Sequence, residues 1–306
     1  MRPLKALPIL GALSAGLVAQ SPAPPDPTPT PAPPSILGFA VSGSATFGSQ
    51  YIFRGLTQTD GKPTIQGELD LVHPSGFYLS TALSNISWFT DQNSGYVSAP
   101  VSLGAPGPGG APYLADKTNS ASVELDVFGG YKWAFAKDWT LDLGLYRYLY
   151  PGTYENLGLF RNPNTTEAYL GLSYSWASLK YSQVLSATTF GTANAKGTSY
   201  VDLSLTIPLG DSGFSFQVHG GHTTYAANPN ALFYAGTKKF DDNSVFSYTD
   251  YRVGLAKEIS GYTFTLAGTG ANSKDAAADG QTPVYINVMG RNIGGSRLTF
   301  TISKAF

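Results

Sequence analysis

Residues 123–135 read VELDVFGGYKWAF, and their side chains alternate in character. The odd positions carry the apolar side chains Val123, Leu125, Val127, Tyr131, Trp133 and Phe135. Glu124, Asp126 and Lys132 stand at even positions. Successive side chains of a β-strand point to opposite faces, so this period of two predicts a strand with one apolar and one polar face.

The alternation recurs in segments of about ten residues from Phe39 to the end of the chain. In the first segment, residues 39–53, we place Phe47, Tyr51 and Phe53 on one apolar face. Further segments lie at 65–71, 139–149, 166–176, 200–207, 214–221, 248–257, 262–268 and 297–306, and the pattern is blurred at 77–88 and 179–186. Together with residues 121–135, these segments make twelve predicted strands.

The connections between these strands alternate in length. The long connections are 55–62, 90–120, 151–165, 187–198, 223–246 and 271–292, and short turns lie between them at 73–76, 136–138, 177–178, 209–212 and 258–261. Long loops at one end and tight turns at the other are typical of an outer-membrane barrel. We therefore predict an all-β fold, an antiparallel up-and-down transmembrane β-barrel of about twelve strands of the outer-membrane type.

The composition excludes several other classes of protein. Only 13% of the residues are charged, against about 25% in soluble domains, and a net charge of -1 gives no electrostatic footprint for nucleic acid. The absence of cysteine excludes disulfides, thiolate metal sites and a cysteine nucleophile. We expect no cofactor and no metal ion, because His219 and His222 fall on opposite faces of one strand and His73 lies in a turn.

Aromatic residues and the last strand also fit a barrel in the outer membrane. The aromatic side chains that flank short turns, as an interfacial girdle requires, are Phe77, Trp133, Phe135, Trp139, Tyr174, Trp176, Tyr181, Phe214, Phe216, Tyr262 and Phe264. The chain ends LTFTISKAF, an alternating strand closed by Phe306. We interpret Phe306 as an assembly signal that the barrel-assembly machinery reads.

Two segments precede the predicted barrel. Residues 1–19 combine a basic start, Arg2 and Lys5, with an uncharged apolar run, which is typical of a cleaved signal peptide. Residues 22–34, PAPPDPTPTPAPP, favour an extended polyproline spacer. We assign residues 1–19 to a signal peptide, 20–38 to a proline-rich periplasmic linker and 39–306 to a barrel in the outer membrane of a Gram-negative cell.

Several blocks of the chain resemble a known family. The run YIFRGLTQTDGKPTIQGELDL at 51–71, followed by GFYLSTALSN at 76–85, is similar to the opening of the TorF family of porins. Further matches are SYVDLSLTIPL at 199–209 and SYTDYRVGLAKEISG at 247–261. This resemblance implies an outer-membrane β-barrel porin.

The polar faces of the predicted strands would line a lumen. The predicted pore-lining residues are Arg54, Gln66, Glu68, Asp70, Glu124, Asp126, Lys132, Asp142, Glu167, Lys180, Asp202, His219, Asp250, Arg252 and Arg297. Among them acids outnumber lysines and arginines, which predicts a mild preference for cations. An interior this polar favours water over a packed apolar plug.

Strand parity predicts the first of two cross-strand pairs. Phe135 and Trp139 both need the lipid face, so the turn between them must hold an odd number of residues. A three-residue turn, residues 136–138, meets this condition. Lys132 should then lie directly opposite Asp142 inside the barrel.

The same reasoning predicts a second pair at the next but one turn. It aligns Ile207 with Phe214 and therefore sets Asp202 opposite His219. A neighbouring carboxylate makes His219 a member of a lumen ion pair rather than a catalyst.

Two classes of function remain. The first is a porin-like channel, not an enzyme, for the passive diffusion of small hydrophilic solutes or ions. The alternative is a non-conducting outer-membrane barrel that acts in surface or partner binding or in envelope anchoring. An outer-membrane hydrolase would rest only on the presence of histidine, since no serine lies in a nucleophile elbow. The expected partners are outer-membrane lipid, the barrel-assembly machinery and small solutes.

Overall fold

The computed structural model of the protein describes residues 35–91, 119–153, 162–229, 242–276, 284–287 and 289–306. The predicted signal peptide, most of the proline-rich linker and the middle of the predicted loop 90–120 lie outside the described residues. Within these ranges, no helix is long and apolar enough to cross a bilayer.

The strands follow one another with short turns and loops between them. Their bounds are β1 (Ser35–Ile36), β2 (Phe39–Gly48), β3 (Ile52–Phe53), β4 (Leu56–Thr57), β5 (Thr64–Val72), β6 (Phe77–Asn85), β7 (Val123–Ala136), β8 (Trp139–Leu149), β9 (Thr165–Tyr174), β10 (Ala177–Val184), β11 (Ser199–Pro208), β12 (Phe214–Thr224), β13 (Tyr248–Ile259), β14 (Tyr262–Ala271) and β15 (Arg297–Ala305). Strands β2 and β5 to β15 form a closed antiparallel barrel of twelve strands. Each barrel strand pairs with the next barrel strand along the chain, and β15 pairs with β2. The predicted fold is thereby confirmed.

Strand β2 closes the barrel because it pairs with both β5 and β15. The seam with β15 is short: residues 44–48 pair with 301–305, and two backbone hydrogen bonds between Gly43 and Phe306 extend it. Inside the barrel, the hydroxyl groups of Thr46 and Ser303 lie 2.8 Å apart across this seam. Residues 35–36, which the sequence assigns to the linker, form β1 and pair with the start of β2.

The outer surface carries the apolar half of the alternation. Large apolar side chains on outward positions are exposed on every side of the barrel, for example Phe77 at 60% and Trp133 at 54%. Lys304 is the cation on the outward face of β15, and its ammonium lies 4.3 Å from the ring centroid of Tyr262. An exposed apolar band with aromatic rings beside the short turns is the surface that a bilayer requires.

The first segment differs from the sequence expectation. Strand β2 ends at Gly48 rather than continuing to Phe53, and residues 49–63 fold inward across the barrel. Tyr51 and Phe53 do not share the lipid face of Phe47, because they are 4% and 6% exposed inside the barrel while Phe47 is 50% exposed outside it. We call residues 49–63 the inserted segment; its short hairpin consists of β3 and β4.

The β7–β8 turn reaches the predicted register by another route. Lys132 pairs with Asp142, as parity requires. The predicted three-residue turn is wrong, however, because Ala136 pairs with Trp139 and Phe135 is the extra residue of a β-bulge. The turn itself consists of Lys137 and Asp138, with a positive φ of 64° at Asp138.

The β11–β12 register differs from the prediction by two residues. Ile207 pairs with Phe216 rather than Phe214, since a 3-10 turn at Gly210–Ser212 lengthens the connection. Asp202 therefore pairs with Gly221, not with His219.

Candidate functional site

The inserted segment is held to the barrel wall at its first aromatic residue. The hydroxyl of Tyr51 donates a hydrogen bond of 2.6 Å to Oε1 of Glu124, near the long-loop end of β7. Burial, and then the neighbouring Glu124 carboxylate, raise the pKa of Tyr51 well above its ordinary value. The phenol therefore stays protonated and acts as the donor to the Glu124 carboxylate, which is 2% exposed.

Arg54 makes the second attachment. Its Nη2 group lies 2.7 Å and 3.0 Å from the two carboxylate oxygens of Glu167 on β9, and both side chains are buried. Burial disfavours the charged guanidinium, but the Glu167 carboxylate outweighs this effect, and the pKa of Arg54 lies above its ordinary value. The guanidinium also stands 4.2 Å from the ring centroid of Tyr200 on β11. Arg54 thus spans the lumen from the segment to the facing strands.

The far end of the inserted segment is fixed to the loop before β15. The backbone N–H of Thr57 donates to the carbonyl of Ile293 at 2.9 Å. Asp60 accepts a hydrogen bond of 2.9 Å from Asn287 and forms an ion pair with Arg291. The segment is consequently attached to β7, β9 and the last long loop, and it crosses the long-loop mouth of the barrel.

Aromatic side chains fill the space between the inserted segment and one wall. Phe53 packs edge-on against Tyr148 and Phe190, with ring centroids 5.6 Å and 5.3 Å apart. The buried cluster on this side comprises Tyr51, Phe53, Tyr78, Ile86, Phe89, Ala121, Phe128, Tyr146, Tyr148, Tyr150 and Tyr169. The interior is therefore partly packed by aromatic rings, whereas the polarity of the inward residues favoured water over a packed apolar plug.

His219 lies at the centre of a charged cluster on the opposite wall. Its Nδ1 is 2.8 Å from Oδ2 of Asp202, and its Nε2 is 2.6 Å from Oδ1 of Asp250. The predicted contact with Asp202 thus exists, although it runs diagonally between strands rather than between paired residues. The hydroxyl of Tyr200 also reaches Asp250, at 3.2 Å.

This cluster has the residue types of a hydrolytic triad but not its hydrogen-bond pattern. Ser204 Oγ lies 3.2 Å from Nδ1 of His219 and 2.9 Å from Oδ1 of Asp202, to which it donates. A general base needs one free ring nitrogen to take the proton of the nucleophile. Both ring nitrogens of His219 face carboxylate oxygens, so the geometry describes an ion-paired histidine.

Two glycines on inward positions make room for tyrosine rings. A Cβ at Gly221 would overlap the hydroxyl and ring of Tyr200, and a Cβ at Gly144 would overlap Tyr169. Both tyrosine side chains thus occupy the space that a Cβ at these glycines would need. Gly221 is therefore what allows Tyr200 to reach Asp250.

A polar cavity of about 150 Å³ remains beside the inserted segment. Its charged lining residues are Arg54, Lys180, Asp202, His219, Asp250 and Arg252. Threonine, serine and glutamine side chains of the barrel wall complete the lining, including Thr46, Gln50, Gln66 and Ser182. The cavity can hold water or a small polar solute.

The remaining predicted residues lie inside the barrel but away from this cavity. Asp142 accepts a hydrogen bond of 2.8 Å from Tyr78, above whose ring Lys132 lies at 4.6 Å. Asp70 accepts a hydrogen bond of 2.5 Å from Ser80, and the inward face of β5 also carries Glu68. Asp126 is buried and accepts from Tyr146 at 2.8 Å.

The Arg297 side chain binds the backbone of the last long loop and does not line the cavity. Its guanidinium donates to the backbone carbonyls of Asn292, Ile293 and Gly295, at 2.5 to 2.9 Å. These bonds order the chain that receives the inserted segment.

Sequence reasoning missed the interior role of Tyr51 and Phe53. The one sign in the sequence is that the run SQYIFRG, residues 49–55, ends in glycine, and in the structure Gly55 adopts a φ of 76°, which is not a strand conformation. It also missed the tyrosines at 146, 148, 169 and 200, which stand on the inward parity of their strands.

A family model matches residues 34–306 of the chain and is described as "Bacterial protein of unknown function (Gcw_chp)". The protein belongs to the Gcw_chp family. None of the curated proteins matches this Gcw_chp chain.

Two porins and an outer-membrane protein are among the solved structures similar to this Gcw_chp protein. One is titled "KdgM porin", with a TM-score of 0.45 and 7% identity, and the match covers 87% of this chain and 98% of the other. The structure titled "NanC porin structure in rhombohedral crystal form" gives a TM-score of 0.44 and 13% identity, over 87% and 99% of the two chains. The outer-membrane protein OprD from Pseudomonas aeruginosa gives 0.35 and 10%, over 89% and 65%.

Proposed function

We propose that the protein is a narrow porin-like channel of the outer membrane for the passive diffusion of small hydrophilic solutes or ions. The observation that carries this proposal is the polar cavity beside Arg54, within a closed barrel whose outer surface is apolar. Its lining comes from strands around much of the barrel and from the inserted segment. The resemblance of residues 51–71 to the TorF family of porins supports the same proposal.

The inserted segment would set the size of the passage. Barrels of eight strands just enclose side chains, whereas sixteen strands leave an aqueous channel. A barrel of twelve strands with a segment across its mouth should therefore conduct weakly. The fixed contacts of Arg54 with Glu167 would keep the constriction in one place.

We further propose export through a cleaved signal peptide and assembly into the outer membrane through the C-terminal strand. The paired backbone groups of Gly43 and Phe306 support a role for the last residue in closure of the barrel. Both ends of the barrel chain, Phe39 and Phe306, lie at the short-turn end, which would face the periplasm and place the proline-rich linker there.

The proposal is tested by the conductance of the refolded mature chain in a planar bilayer. Discrete single-channel steps are expected for the wild type, with larger steps when Arg54 is replaced by alanine, because the guanidinium narrows the passage. Barrel folding is checked by the change in gel migration on heating. Folded wild-type and Arg54→Ala proteins that both pass no current would overturn the proposal.

The same experiment addresses the second candidate function, a non-conducting barrel that binds partners or anchors the envelope. The aromatic cluster and the inserted segment favour it, because together they occupy much of the interior. This candidate predicts that neither the folded wild type nor the folded Arg54→Ala protein passes current in the bilayer.

A further inference from the structure

Two cations that line the cavity lack a carboxylate partner among the described residues. No Asp or Glu oxygen lies within 4.0 Å of the side-chain nitrogens of Lys180 or Arg252 in this part of the chain. The ammonium of Lys180 lies 4.2 Å from the ring centroid of Tyr169, and Nη1 of Arg252 donates to Oε1 of Gln217 at 2.8 Å.

The two carboxylates that line the cavity, those of Asp202 and Asp250, are both bonded to His219. Lys180 stands opposite Asp202 in the register of β10 and β11. The Asp202 carboxylate, however, accepts hydrogen bonds from His219 at 2.8 Å and from Ser204 at 2.9 Å. Arg252 stands opposite His219 in the register of β12 and β13. Asp250, which lies on β13 with Arg252, is bonded to His219. Both aspartates are therefore bonded to His219, and neither forms an ion pair with Lys180 or Arg252 among the described residues.

A buried donor without a partner lies beside Arg252. Gln217 is 1% exposed, and its Nε2 group has no hydrogen-bond partner among the described residues, while its Oε1 accepts from Arg252. An unpaired buried N–H group is unfavourable. A ligand oxygen that contacted the Arg252 guanidinium could also accept a hydrogen bond from Nε2 of Gln217.

We propose that the cavity lined by Lys180 and Arg252, with Gln217 hydrogen-bonded to Arg252, binds a small oxyanion, a ligand with one carboxylate or phosphate group. The inference deepens the proposed function, on which it rests, because such a ligand would enter through the lumen. A cavity of about 150 Å³ accepts a molecule roughly the size of benzene, so the ligand has only a few non-hydrogen atoms.

This site reverses the charge preference expected from the sequence. The count of inward residues gave equal weight to every acid, but Glu124, Asp126 and Glu167 are buried and do not line the cavity. The lining holds Lys180, Arg252 and His219 against Asp202 and Asp250, and its fourth cation, Arg54, is paired with Glu167. The passage should favour chloride over potassium.

The test is calorimetric titration of the refolded mature protein in detergent with sodium phosphate and, separately, with sodium acetate. Saturable binding of at least one anion is expected, and the two arms show whether the site prefers phosphate or carboxylate. Lys180→Gln and Arg252→Gln should each weaken it about ten-fold or more, since each removes a charge-assisted contact. Lys180→Arg should retain binding. The matched control is Lys257→Gln, because Lys257 lies outside the cavity over the ring of Phe214.

The result that overturns the site is a folded Lys180→Gln/Arg252→Gln protein that binds both anions like the wild type, or a wild type that binds neither. Bilayer measurements separate this failure from failure of the channel. If the wild type binds an anion more tightly than the Gln variants but passes no current, the anion site is supported and conduction is rejected. Current with no anion binding and a reversal potential that favours potassium leaves conduction standing and rejects the site.

Discussion

Arg54 and Glu167 are joined across the lumen, with Nη2 of the arginine 2.7 Å and 3.0 Å from the two oxygens of the carboxylate. One residue belongs to the inserted segment and the other to β9, and they are 113 positions apart in the sequence. The pair therefore fixes the inserted segment to the wall of the barrel. Both charges are buried, so each depends on the other.

Removal of one member of this pair should be costly. Glu167→Gln leaves the Arg54 cation buried without its counter-charge, a change that destabilises proteins by about 3–5 kcal/mol. The double variant Arg54→Gln/Glu167→Gln should recover part of the loss, because no buried charge then lacks a partner. Urea unfolding of the refolded protein measures both effects, and equal losses in the single and double variants would contradict the pairing.

Tyr51→Phe should destabilise the barrel by about 1–3 kcal/mol, because it removes one of the two tyrosine donors, Tyr51 and Tyr150, to the buried Glu124 carboxylate. Tyr181→Phe is the matched control. It removes a tyrosine hydroxyl whose hydrogen bond to Gln183 lies on the exposed surface, and it should change the free energy of unfolding by less than about 0.5 kcal/mol. Equal effects of the two substitutions would show that Tyr51 does not hold the segment.

Gly221→Ala should displace the ring of Tyr200 and break its hydrogen bond to Asp250. The expected cost is about 1–3 kcal/mol, the range for a methyl group forced into a packed site. Gly220→Ala is the control, since a Cβ at the adjacent position meets no atom within 4 Å. Unfolding free energies of the two variants decide the question, and no difference between them would refute the crowding.

The membrane topology makes a prediction for intact cells. An epitope inserted at Pro108, in the long loop between β6 and β7, should be labelled from outside. An epitope inserted after Asp211, in the short turn between β11 and β12, should be labelled only after lysis. The reverse pattern would place the long loops on the periplasmic side.

Deletion of Phe306 should lower the amount of assembled barrel without lowering synthesis of the chain. The residue pairs with Gly43 through both of its backbone groups, so its loss shortens the closing seam. Heat-modifiable migration of membrane fractions on gels measures the assembled form. Phe306→Tyr keeps a terminal aromatic residue and should assemble normally; assembly of the deletion at the wild-type level would count against the signal.

The sequence was sufficient for the strands because the alternation of Val123 to Phe135 and its equivalents is imposed by the bilayer. Lipid on one side and polar side chains on the other leave each strand only one orientation. Lys132 and Asp142 pair as predicted even though the turn was wrong, since the bulge at Phe135 compensates for the shorter turn.

The inserted segment could not be predicted from alternation. Tyr51 and Phe53 continue the parity of Phe47, so alternation does not distinguish an inward turn from a longer strand, whereas their contacts with Glu124, Tyr148 and Phe190 do. The two-residue error between Asp202 and His219 has a similar origin. Parity fixes which face a side chain occupies, but the length of a turn fixes its partner.

The hydrogen bond between Thr46 and Ser303 joins residues 257 positions apart, and this separation governs how the protein must fold. Bringing such distant parts of a chain together costs more loop-closure entropy than forming any neighbouring hairpin, and non-local pairing slows folding. The hairpins between consecutive strands from β5 to β15 join residues that are close in the sequence and can form early in folding. Residues 44–48 can pair with residues 301–305 only after β15 is in place. The edge of β2 facing β15 is thus a free strand edge until the final step, and a chain delayed at that point exposes the kind of template on which proteins aggregate.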